Sequence, residues 1–313
     1  MMIKKIINTI SRQTWVCYVF AAAVILISVD RNNANLMRLS MLQHYADYPI
    51  QFLFQKAGHQ PEAFRYAVTY YRPLEKLFPD IPDVKMILGV CYAEIGKYKK
   101  ASRYFEQAYR LREDLFWNLF NLGILKYKMH LYGEAEKIFE KIVFLDNQQL
   151  LASPFSSQLL KKYPSAVQET LVAQNIRFNL FVQSRARLML LQCLWEQNKY
   201  QEIFTLAQHF LNQPDRPENE SAYAAWASRV LLKTSSEKSL FLYARALINK
   251  YPENIILFRF TQQISSALSA SQSPEHIFQN FLTVPDQFVI HPWREYILIG
   301  RELFLGKSPE SAI

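Results

Sequence analysis

Across residues 82–149, apolar and small side chains recur at helical spacing within two segments and repeat between them with a period of 34 residues. Leu88-Gly89 returns as Leu122-Gly123, Tyr98 as Tyr132, Ala101 as Ala135 and Phe105 as Phe139. Apolar positions three and four apart predict amphipathic helices. A fixed period of this length predicts two helices and a turn per unit. One such hairpin cannot bury its own apolar face, so the units must stack. Gly89 and Ala101 fall where the two helices of a hairpin approach closely, and Phe105 and Tyr98 are expected to fill the space between neighbouring hairpins. The expected fold is all-α, a superhelical solenoid of helix-turn-helix repeats.

The order of an L-G pair, an alanine twelve residues after the glycine and an aromatic four residues further on resembles the tetratricopeptide repeat (TPR) family. The best repeats are 82–115 and 116–149. They depart from the family in carrying Lys85 and Leu119 where a tryptophan is usual, and Lys126 where the first repeat has Tyr92. The pattern decays outward into degenerate repeats at 48–81, 150–183, 184–217 and 221–288. In 48–81 only the second helix fits, through Phe64, Ala67, Tyr71 and Leu74. Ser153-Pro154 and Lys162-Tyr163-Pro164 interrupt 150–183, which reads as a degenerate repeat, with an inserted helix over 166–181 as the alternative. In 184–217, Asn198-Lys199-Tyr200 stands in the register of Gly96-Lys97-Tyr98. Gly300 and Ala312 restore the twelve-residue spacing in a C-terminal half-repeat, 293–313. The TPR-like α-solenoid is thus expected over 48–313.

Ahead of it lie a basic segment, 1–14, with Lys4, Lys5 and Arg12, and an apolar run over 15–29. At 1.5 Å per residue the run reaches about 22 Å against roughly 30 Å of hydrocarbon. It therefore reads as a transmembrane anchor or a signal helix. Small residues are poorly placed for cleavage after it, which favours a retained single-pass anchor in a cytoplasmic membrane. The flanking bases put the N-terminus inside and the repeats outside the cytoplasm. A cleaved signal, giving a secreted or periplasmic soluble chain, and a buried soluble helix are the alternatives. Residues 30–47, with Leu36, Leu39 and Leu42, read as a juxtamembrane helix.

Composition agrees with short-turned helices, since the chain holds only 7 Gly and its 14 Pro are scattered. The net charge of +9 is spread over helices where acids and bases alternate, so a solvated face is expected and no nucleic acid. The basic cluster Lys97, Lys99, Lys100 and Arg103 reads likewise as a solvated turn. The six histidines form no HExxH, and no phosphate loop or nucleophile motif occurs. Neither an enzyme, a cofactor nor a metal is expected. Cys91 and Cys193 stand three repeat lengths apart, too far for a disulfide in a stacked array, and are expected to be buried thiols.

The resemblance implies that first helices line a concave groove. It places Met86 and Val90, then Trp117, Phe120, Asn121, Ile124 and Tyr127, then Leu188 and Trp195 on that groove. Left open, it would take a protein or peptide with an apolar or amphipathic segment, Trp117 and Tyr127 acting as hot spots. Core packing under 150–183 or the N-terminal helix is the competing reading. Asn118 and Asn121 can grip a peptide backbone, because an amide both donates and accepts. A subclass of the family clamps carboxylate ends with bases and amides; here the comparable places are Phe52, Lys56, Ile87, Trp117 and Asn121, which disfavours that activity.

Overall fold

Proline opens three of the helices, at Pro61, Pro82 and Pro217, where its missing N–H costs nothing. A computed structural model describes residues 61–77, 79, 82–113, 116–145, 165–213, 217–282, 285 and 287–289. All belong to the unit His59–His291; Met1–Gly58 and Pro292–Ile313 form a separate unit. The basic segment, the 15–29 run, the juxtamembrane helix and the C-terminal half-repeat lie outside the described residues. Among the described residues there are eleven helices and no strand. None of these helices is long and apolar enough to cross a membrane.

Helix α1 (Pro61–Leu77) packs on the hairpin of α2 (Pro82–Glu94) and α3 (Tyr98–Leu111), followed by the hairpin of α4 (Phe116–Lys128) and α5 (Tyr132–Val143). Then come α6 (Ser165–Glu196), α7 (Tyr200–Leu211), α8 (Pro217–Thr234), α9 (Glu237–Lys250), α10 (Ile255–Ser269) and α11 (Glu275–Phe281). Within this unit, α2, α4, α6, α8 and α10 touch in succession and make the inner layer, while each also packs on the helix that follows it. Ser236 and Asn254 cap α9 and α10, their side chains accepting from Ser239 N and Leu257 N.

The repeat is written into the turns. Gly96, His130 and Asn198 stand in register and all adopt the left-handed conformation, with φ of 76°, 60° and 60°. Each closes its first helix with the same pair of bonds: Gly96 N to Ala93 O with Lys97 N to Tyr92 O, His130 N to Tyr127 O with Leu131 N to Lys126 O, and Asn198 N to Trp195 O with Lys199 N to Leu194 O. This is the Schellman ending, in which orphan carbonyls find donors and the chain reverses. The hairpins close tightly beside these turns. A Cβ built on Gly89 would lie 2.5 Å from the Phe105 ring, and one on Gly123 would lie 2.8 Å from Phe139. Each glycine therefore seats the aromatic of its own second helix.

Of the segment 150–183, residues 165–183 are the first half of the 32-residue helix α6, continuous with the first helix of the next repeat, and residues 150–164 lie outside the described residues. The cause lies in composition, because Ser165–Glu196 contains neither glycine nor proline and nothing breaks the helix at the repeat boundary. Gln183 Nε2 donates to Val143 O at 3.1 Å, satisfying a carbonyl at the end of α5.

Candidate peptide-binding groove

Helix α4 is apolar almost all round, and every residue from Phe116 to Leu125 is buried. Trp117 meets Phe178 of α6 edge-on at 5.5 Å, and Phe120 meets Phe139 of α5 edge-on at 5.6 Å. Of the nine residues expected on an open groove, Met86, Val90, Trp117, Phe120, Asn121, Ile124 and Leu188 are buried. At these seven positions the apolar stripe is covered. Its covers include Phe178, from the first half of α6, and a stretch of backbone near residue 289. Tyr127 and Trp195 keep partial exposure but occupy one position in two hairpins. Each packs on the tyrosine after its own turn, Tyr132 at 5.5 Å and Tyr200 at 5.2 Å. Burial, then the nearby Glu196 carboxylate, pushes the Tyr127 hydroxyl up to about 12.

Asn121 is different in kind. Its Nδ2 donates to Val289 O at 2.8 Å, and Val289 N donates back to its Oδ1 at 2.8 Å. One side chain thereby satisfies both backbone groups of a residue 168 positions away. Arg185 of α6 continues the contact: its Nη2 donates to Pro285 O at 2.9 Å and Gln287 O at 3.1 Å. The carbonyls of 285, 287 and 289 are therefore met from one side, as the two-residue alternation of an extended chain requires. The Arg185 guanidinium is itself seated over the Phe181 and Phe120 rings at 5.3 and 5.9 Å.

Side chains of the segment add apolar contact. The Phe288 ring lies 5.6 Å from Phe105, with Lys128 Nζ 5.8 Å from its centroid, and Val289 is buried. Asn118, one turn before Asn121 on α4, is also buried, yet neither its Oδ1 nor its Nδ2 has a hydrogen-bond partner among the described residues. Arg185, Phe288 and Val289 were not identified as site residues from sequence. The sequence around Arg185, with Gln183, Ser184 and Arg187 beside it, carries no signal that sets this base apart.

Other charged groups join repeats and leave the groove alone. Lys199 Nζ meets the largely buried Glu136 at 2.6 Å, and that hydrogen bond raises the Lys199 ammonium above its ordinary range. Lys97, Lys99, Lys100 and Arg103 are exposed, with Lys100 Nζ 5.4 Å from the Tyr92 ring centroid. Cys91 and Cys193 are buried free thiols; burial first, then the Glu94 charge, pushes Cys91 up to about 12. Among the described residues no cluster of three His, Cys, Asp or Glu could hold a metal.

No family model matches the chain. Over 96 residues it is 32% identical to anaphase-promoting complex subunit 6 of Arabidopsis thaliana, a stretch covering 30% of this chain and 16% of that protein. A solved structure of Naa15/Naa10 bound to HypK-THB aligns over 86% of this chain and 43% of the matched chain, at 12% identity and a TM-score of 0.28. The chain spans less than half the length of either relative. The 34-residue register of Gly96, His130 and Asn198, the paired helices and the recurrent left-handed turn resemble tetratricopeptide repeats.

Proposed function

We propose that the chain is a scaffold that holds a protein partner on the inner face of its repeat array. It is kept at a cytoplasmic membrane by residues 15–29, with the repeats outside the cytoplasm, and serves assembly or secretion as an accessory. The observation that carries the binding role is the Asn121 amide, which holds a backbone by both its N–H and its C=O. Such a contact recognises chain and not a small molecule. Similarity over 96 residues to a protein named as a subunit of a complex supports the same class of role.

The membrane placement rests on the basic flank and apolar run of residues 1–29. Alkaline carbonate washing of membranes tests it: the full-length chain is expected to stay in the pellet. Recovery of a shortened chain in the supernatant would replace the anchor with a cleaved signal and a soluble adaptor. Site-specific crosslinking from position 128, beside the Phe288 ring and outside the Asn121 contact, followed by partner identification, tests the scaffold role. Crosslinks confined to the chain itself under every growth condition would contradict it.

A further inference from the structure

Residue 285 and residues 287–289 already occupy the surface proposed for a partner. The occupied surface is built from Asn121 of α4, Arg185 of α6 seated over the Phe120 ring, and Phe105 of α3. Of this surface, Asn121 and Arg185 reach backbone atoms of the segment at every second residue. Its apolar groups take one aromatic side chain and the β-branched residue after it.

We propose that 285–289 is a resident stand-in for the partner, and that the partner is an extended peptide carrying an aromatic residue followed by a β-branched aliphatic one. The partner enters by displacing this segment. The inference rests on the scaffold reading and gives it a ligand class.

The chemistry of the site explains why displacement can favour the partner. Among the described residues both amide atoms of the buried Asn118 have no hydrogen-bond partner while the segment is seated. Asn118 and Asn121 are three apart on α4 and so lie on neighbouring turns of one face. A longer incoming chain can satisfy the second amide as well as the first. Against this, the resident segment is tethered only a few residues beyond the end of α11, which gives it an effective concentration on the order of millimolar. Free peptide at micromolar concentration therefore does not dislodge it from the wild-type chain.

The test uses a fluorescent peptide with the chain's own residues 283–291, titrated by anisotropy against the full chain. The variant Phe288→Ala/Val289→Ala, which loosens the resident segment, is expected to bind this peptide at least about tenfold more tightly than wild type. Adding Asn121→Leu to the loosened variant should abolish binding, and adding Arg185→Ala should weaken it about tenfold. A peptide N-methylated at the position of Val289 should fail, while one N-methylated at the position of Phe288 should bind, because only the former N–H is used. Circular dichroism of each variant checks that the helices persist.

A loosened variant that keeps its helices and binds no better than wild type would overturn the inference, as would equal binding of the two N-methylated peptides. Loosening that instead yields a dimer exchanging 285–289 between copies would overturn it in favour of self-association. A partner still crosslinked after Asn121→Leu would sink this inference while leaving the scaffold reading in place.

Discussion

Two kinds of residue share the inner face of α4, and their substitutions should separate cleanly. Trp117 and Phe120 are fully buried among Phe178 and Phe139, so truncating either should cost about 3–5 kcal/mol of stability through lost burial and a cavity. Chemical denaturation of Trp117→Ala and Phe120→Ala should show this as a lowered midpoint. Asn121→Leu keeps the volume but strips the partners from Val289 N and O, which should cost about 1–3 kcal/mol locally. The Cys91 thiol adds a pH dependence of definite sign. Its folded value is raised from 9.0 to about 12, so above pH 9 the unfolded chain loses its proton first. The contribution is complete below about pH 9 and disappears as pH rises towards 12. Denaturation midpoints should fall between pH 8 and pH 10.5, and Cys91→Ala should flatten that fall.

At the scale of elements, the two glycines of the first full repeat do different work. Gly89→Ala drives a methyl into the Phe105 ring and should cost about 1–3 kcal/mol by overpacking. Gly96→Ala meets no atom within 4 Å, so its cost, about 1 kcal/mol, comes from the left-handed backbone alone. Thermal melting of the two variants should therefore differ, with Gly89→Ala the less stable. The hairpins were legible in the sequence because a hairpin is local: the L-G pair, the alanine and the aromatic are fixed by contacts within 34 residues. The continuity of α6 was also readable in principle, since the absence of glycine and proline from 165–196 is as informative as the register that crosses it. The seat of 285–289 was not legible. Asn121 announces an amide in an apolar helix, but its partner is 168 residues away and carries no pattern of its own. The same long-range contact, together with Phe178, turned an apparent exposed stripe into a covered one.

At the scale of the molecule, stacking leaves a continuous inner layer from α2 to α10 while the outer helices carry most of the exposed charge. In such an array each repeat contacts only its neighbours, and the small rotation per repeat sets the curvature of the stack. Within the described unit, α4 and α6 combine a packed apolar floor with three side chains able to bond to a main chain: Asn118, Asn121 and Arg185. This floor holds extended backbone by its edge. The most direct measurement is amide hydrogen exchange at Val289 in the full chain. Strong protection in wild type, lost in Asn121→Leu while the amides of α4 and α6 remain protected, is the predicted result. Rapid exchange at Val289 in wild type, or protection unchanged by Asn121→Leu, would contradict it.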